Sequence, residues 1–223
     1  ISNTTLTIPA GSTSDNITLT ALTDQVDEDS EAIIIDISGV SGGNGAKESG
    51  NQQRVVNITD DDTAAFTPSK TTAAVTEGGT TDSLTVVLGT QPTADVIFSL
   101  TASDSTEATV SPAALTFTST NWDTPQNVVI TGKNDTVSDG SKSSTVTIAI
   151  NTGSTNDEKY AALLNQSVSV TTSDDEASPV ITLATSASSL AENGGTATLT
   201  VTQSVATEES TIVTLSTASS GAT

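Results

Sequence analysis

Carboxylates are the residues through which this sequence can do chemistry. The stretch RVVNITDDDT, Arg54 to Thr63, runs a strand-like Val55, Val56 and Ile58 straight into Asp60, Asp61 and Asp62. Adjacent carboxylates raise one another's pKa, so five to seven in one loop cluster stay ionised together only with a cation among them. Calcium suits such a place, because it takes six to eight oxygen ligands from flexible loops, bidentate carboxylates included. Magnesium prefers fewer protein ligands and a tighter octahedron. Zinc normally calls for His or Cys, and the chain contains neither. The lack of His also removes the commonest general base.

Composition narrows the partners. Among 223 residues, six are basic and 27 acidic, a net charge of -21. Such a surface repels nucleic acid and anionic membranes, so neither is expected as a partner. No apolar run approaches the roughly 20 residues of a membrane span, so no membrane insertion is expected. With one Trp, one Tyr and three Phe, any core must be built from Val, Ile, Leu and Ala. The absence of Cys fits a cytosolic protein, and equally a bacterial secreted protein stabilised by other means. The absence of Met anywhere points to a segment of a larger polypeptide.

The elements that would position the acids come from an internal repeat. VTEGGTTDSLTVVL (75–88) matches LAENGGTATLTVTQ (190–203), and NITLTALTDQVDED (16–29) matches NVVITGKNDTVSDG (127–140). VVNITDDD (55–62) matches VSVTTSDD (168–175). The offsets are about 110–115 residues, the length of one β-sandwich domain. Alternation and turn residues predict seven strands in the central copy, near 72–76, 83–89, 95–101, 114–118, 126–132, 143–150 and 166–172. Only residues 157–166 suggest a turn of helix. The fold class is therefore all-β, as tandem seven-stranded antiparallel sandwiches. Residues 63–176 form a complete copy, 1–62 supply strands four to seven of another, and 177–223 supply strands one to three. Such halves would expose sheet edges unless completed.

If successive strands alternate direction, odd-numbered strands all finish at one pole. That pole then collects Glu77, Asp104 with Glu107, Asp135 with Asp139, and Asp174 with Asp175 in the central copy. In the split copy it collects Glu192, Asp24, Glu28, Glu31, Asp60, Asp61 and Asp62. The opposite pole holds fewer acids, among them Asp15, Asp123 and Asp157. Purely solubilising charge has no reason to gather this way. Two other calcium patterns fail: DTVSDGS carries Val137 where an EF-hand loop needs an oxygen, and GGNGAK puts Lys47 where a nonapeptide repeat needs Asp. Trp122, after strand four, is expected to plug the neutral pole.

At this point the residues resemble a known family. TLTIPAGSTSDNITLTALTDQVDEDSEAIIIDIS with VVNITDDD resembles the second half of a Calx-beta domain, and SLAENGGTATLTVTQ resembles its opening. Residues 66–100 and 110–140 resemble a related sandwich repeat of large bacterial surface proteins. The resemblance implies a calcium-binding β-sandwich, with ligands mapping onto Glu192, Asp24, Glu28, Glu31, Asp60, Asp61 and Asp62. Three departures stand out: in the split copy Thr23 replaces the first of two Asp and the Asp of the third-to-fourth strand connection is missing, and in the central copy Asp139 with Gly140 replaces a Glu-x-x-Glu pair, implying fewer ions there.

The reading that follows is a non-enzymatic, calcium-stiffened repeat of a large extracellular bacterial protein, an adhesin stalk or a surface filament. Its partners would be neighbouring repeats or identical chains, joined head to tail, with Asp157, Glu158 or Asp123 reaching across a junction. A calcium sensor is the alternative. A glycosidase using two carboxylates would want an aromatic-lined groove, and five aromatics argue against it.

Overall fold

Val, Ile and Thr alternate through most of this chain, and β-branched side chains favour the pleated strand over the helix. The result is nearly all β. A computed structural model describes residues 5–218. The chain divides into two compact units, Ile1–Thr63 and Ala64–Thr223.

In the first unit, β1 (Glu31–Ile35) and β2 (Arg54–Ile58) form an antiparallel pair, with Glu31 opposite Ile58 and Ile35 opposite Arg54. Residues 5–30, where two further strands are expected, carry no strand, and none of the described residues of this unit is buried.

The second unit contains the core. Its strands are β3 (Phe66–Pro68), β4 (Thr72–Thr76), β5 (Thr81–Leu88), β6 (Val96–Ala102), β7 (Ala108–Ser111), β8 (Ala114–Phe117), β9 (Gln126–Gly132), β10 (Val137–Ser138), β11 (Lys142–Ile150) and β12 (Gln166–Ser173). Five of them make one sheet in the order β4-β12-β11-β6-β8, and four make the facing sheet, β3-β5-β9-β7. Period-two alternation buries one side of each strand, as with Val146, Ile148 and Ile150 on β11 and Leu84, Val86 and Leu88 on β5. At the centre, Phe98 packs against Phe66 and Phe117 with ring centroids 4.8 and 5.8 Å apart.

All seven expected strands of the central copy are present, and the expectation needs two corrections. Two strands that were not expected, β3 and β7, precede the expected first and fourth strands, β4 and β8, and join the facing sheet, so the sandwich proper has nine strands. Pro68 and Pro112 stand where β3 gives way to β4 and β7 to β8, and a residue without N–H cannot continue a ladder. The sheets are also not wholly antiparallel, because β4 runs parallel to β12, with Ser169 opposite Thr72.

The neutral pole is closed by side chains. α1 (Glu158–Ala161) is capped by Asp157, whose carboxylate accepts from Tyr160 N and from Thr93 N and Oγ1. Tyr160 is buried and donates to Thr90 O, while Trp122 packs half-buried against the core. Asp157 is thus fully used inside its own domain, which corrects the expectation that it reaches across a junction.

Beyond the sandwich, β13 (Ile181–Thr185) and β14 (Leu199–Gln203) form an antiparallel hairpin, and β15 (Ala206–Thr207) pairs in parallel with β10. Lys142 binds Glu208 beside that pairing. No helix among the described residues is long and apolar enough to cross a membrane.

Phe98→Ala should cost the sandwich about 3–5 kcal/mol, the usual range for removing a fully buried aromatic. Denaturant unfolding followed by Trp122 fluorescence would measure it, and a loss near zero would mean that the aromatic trio is not the core.

Candidate metal centre

Strand direction brings distant acids together. β4, β6 and β12 run the same way in one sheet, as their pairings require. In the facing sheet β9 ends beside them, with Gly132 N on Thr80 O at 3.0 Å and Lys133 N on Glu107 O at 2.8 Å. The segments that follow these four strands therefore meet at one pole.

Glu77 lies at the centre of that pole. Its backbone N donates to Ser173 O at 2.9 Å, which pins it to the end of β12, and only 2% of the residue is exposed. Its carboxylate, with those of Asp139 and Asp174, offers ligand atoms all within 4.8 Å of one another. A second group at the same spacing joins Glu77 to Asp175 and Glu176. Gly78 makes room for this, because a Cβ there would stand 2.8 Å from Asp175 Oδ2. Gly132 does the same for the backbone, since its Cβ would fall 2.2 Å from Thr76 O. Glu107, 8% exposed, comes in from the β6–β7 loop.

The electrostatics are those of an unneutralised cluster. Burial, and then Asp135, Asp139, Glu107 and Glu176, push the Glu77 carboxyl up to about 7. Glu107 is also raised, by burial and by Asp139 and Asp104, with Lys142 partly opposing. Asp174 is held low by hydrogen bonds, first from Gly140 N at 2.9 Å. Among the described residues, four buried carboxylate oxygens have no hydrogen-bond partner, Glu77 Oε2, Glu107 Oε2, Asp139 Oδ1 and Glu176 Oε2, although the Glu176 carboxyl is raised first by its contact with the Asp174 side chain. A buried polar atom left unpaired costs about 1–3 kcal/mol, more when charged. The ion pair that reaches the group is Lys142 Nζ to Asp139 Oδ2 at 3.4 Å, and Lys142 also serves Glu208. An all-oxygen, carboxylate-rich donor set without His or Cys fits a hard divalent cation.

The first unit carries a shallower version. Asp60, Asp61 and Asp62 offer oxygens within 4.8 Å of one another, and a pocket there is also lined by Asp24, Glu28 and Glu31. Glu28 N donates to Asp60 Oδ2 at 2.9 Å, tying the 24–31 loop to the end of β2. Partial desolvation, then Asp61, Asp60, Asp24 and Asp27, raise the Asp62 carboxyl.

Three residues of the sequence-based ligand set sit differently. Asp104 accepts from Thr106 N and Oγ1 at 2.9 and 2.6 Å, and Asp135 accepts from Val137 N at 2.7 Å, so both carboxylates cap their own turns at the edge of the cluster. Glu192 is exposed on the β13–β14 connection and belongs to none of the acidic groups that the described residues form. Glu107, which strand parity does bring to this pole, enters the cluster in place of its neighbour Asp104, and Glu176 joins it although the sequence reading does not gather it there. Glu176 lies one position beyond the repeat that matches Asp61 and Asp62 to Asp174 and Asp175.

No family model matches this chain, and no curated protein matches it. Among solved structures it is similar to SSP-19, an MSP-domain-like protein of Caenorhabditis elegans, at 16% identity and a TM-score of 0.30, over 46% of this chain and 92% of that one. It is also similar to the PapD-like domain 7 of human CEP192, at 15% identity and a TM-score of 0.35, over 51% of this chain and 87% of that one. The match to the E. coli chaperone DraB, at 7% identity and a TM-score of 0.37, covers 50% of this chain and 55% of that one. Likenesses of this strength bear on neither ligand nor partner.

A raised Glu77 pKa means that the folded, metal-free protein holds this proton more tightly than the unfolded chain does. The stability it contributes is complete below the ordinary carboxylate pKa and is lost as pH rises through about 7. In chelator, the melting temperature should therefore fall between about pH 5 and about pH 8, and Glu77→Gln should flatten the fall. A wild-type curve that rises over this interval contradicts the assignment.

Proposed function

We propose that this chain is a calcium-binding structural repeat of a large extracellular bacterial protein, serving as part of an adhesin stalk or surface filament rather than as an enzyme. The observation that carries the reading is the set of four buried, partnerless carboxylate oxygens on Glu77, Glu107, Asp139 and Glu176. Such a set is unstable by itself and is relieved by a cation that accepts many oxygens.

When bound, calcium would supply the positive charge that the pole lacks. The remaining work falls to the chain. Glu77, Asp139 and Asp174 hold together the loops that follow β4, β9 and β12, and Glu107 adds the loop after β6. Asp174 also accepts from Gly140 N, so the exit from β12 is fastened to the loop before β11. Glu176 leads directly into the segment that carries Pro179 towards β13. The cluster therefore sits where the chain leaves the sandwich, and neutralising it stiffens that exit. An extracellular setting suits the same chemistry, because calcium at about millimolar concentration would keep even weak sites filled.

Melting followed by Trp122 fluorescence should shift upward by about 10 °C between chelator and excess calcium. This corresponds to about 2.7 kcal/mol of binding free energy at a hundredfold excess over Kd, in a domain of about this size. Asp139→Asn with Asp174→Asn should abolish most of the shift, and magnesium should reproduce little of it. Identical melting in calcium and in chelator would overturn the proposal.

A further inference from the structure

We infer that the acid pole of the central sandwich is a docking surface for the domain that follows it, and that Lys142 is the adaptor that lets an acidic side chain of that domain settle there. Two short strands make the contact. β10 pairs in parallel with β15, with Val137 opposite Ala206 and Ser138 opposite Thr207. The next residues in step are Asp139 and Glu208, two carboxylates. Like charges brought side by side repel unless a cation stands between them. Lys142 is that cation: its Nζ lies 2.5 Å from Glu208 Oε2 and 3.4 Å from Asp139 Oδ2.

Both strands are fastened to their own domains, so a contact between them positions one domain on the other. On the sandwich side, Ser138 Oγ donates to Asp174 Oδ2 at 3.4 Å and Gly140 N donates to the same oxygen at 2.9 Å, which ties β10 to the exit of β12. On the other side, Gln203 Nε2 at the end of β14 donates to Val205 O at 2.7 Å and to Thr207 Oγ1 at 3.1 Å. Thr207 Oγ1 in turn donates to Glu209 O at 2.8 Å. Every group that makes or braces the contact lies within residues 137–142, 174 and 203–209. β15 is also a turn segment and not a sheet face. Its counterpart in the central copy, reached by the offset that matches 75–88 to 190–203, is residues 91 and 92, on the link from β5 to β6.

The charge pair is particular to this junction. Continued by the same offset, the match of 16–29 to 127–140 sets Glu31 in the place of Lys142, and the match of 75–88 to 190–203 sets Thr93 in the place of Glu208. Thr93 is bonded within its own domain to Asp157. Lysine on the pole and glutamate on the incoming turn thus occur together, and neither recurs in the other copy. The partner that fits this pole is a domain with a carboxylate directly after its β15 segment. The hydrogen bond to Glu208 raises the Lys142 pKa first, against partial desolvation, and Asp139 adds to the rise, so the adaptor stays charged. A divalent cation on Asp139 would withdraw negative charge from the same spot, so calcium should favour docking as well. That consequence rests on the calcium reading; the Lys142 contact does not.

The chain has no Cys, so the full chain can be spin-labelled through Ser167→Cys on β12 and Thr200→Cys on β14, both exposed. Electron–electron distance measurements in chelator should give one narrow distribution in the otherwise wild-type chain. Lys142→Gln should lose most of the narrow component, and Lys142→Arg should keep it. Adding Glu208→Gln to Lys142→Gln should bring much of it back, by removing the unneutralised charge. Trp122 melting of the central sandwich serves as the folding control. A broad distribution in the otherwise wild-type chain, a narrow one in Lys142→Gln, or a double variant as broad as Lys142→Gln would overturn the inference. Calcium should narrow the Lys142→Gln distribution. If calcium raises the melting temperature and leaves that distribution broad, docking by Lys142 stands and its link to the metal fails. If calcium changes neither, docking stands and the calcium reading fails.

Discussion

Repulsion among buried carboxylates is the constraint on which the rest of this molecule turns. Glu77 and Glu107 are almost wholly removed from water, and they share their surroundings with Asp139, Asp174, Asp175 and Glu176. Here there is no Cys, and the apolar core, built around three Phe and a set of Val, Ile and Leu, lies between the sheets and not among these loops. The acid pole therefore depends on neutralisation, by protons or by a cation, whereas the opposite pole is closed conventionally by Tyr160, Trp122 and the Asp157 cap.

The topology makes this asymmetry unavoidable. β4, β6 and β12 share one direction, so whatever follows them must land together. The breaks at Pro68 and Pro112 move strands between sheets without changing direction, and parity survives them. Glycines then set how closely the loops approach: Gly78 leaves space for Asp175, and Gly132 lets the end of β9 lie against Thr76 O.

Much of this was legible beforehand. Alternation placed all seven strands of the central copy, and counting strands gathered Glu77, Asp139, Asp174 and Asp175 at one pole. Two things were not legible. A period-two pattern says which side of a strand is buried but not which sheet it joins, so the β3/β4 and β7/β8 divisions and the parallel β4–β12 pair escaped. Nor does a count of acids separate ligands from caps. Asp104-Ser105-Thr106 has the spacing of an aspartate that bonds its own turn, and its carboxylate does that, whereas Glu176 follows a run of two Asp that completes the repeat without it, so no strand-end pattern marks it as a ligand. Residues 5–30 failed as strands for a different reason: a strand is defined by its partner, and no local pattern provides one.

Calorimetric titration of the chain with calcium chloride near neutral pH tests the central claim most directly. The account predicts saturable binding, with release of protons from the Glu77 cluster as the metal enters, and loss of both signals in Glu77→Gln. Absence of heat and of proton release up to several times the roughly millimolar extracellular concentration would contradict it.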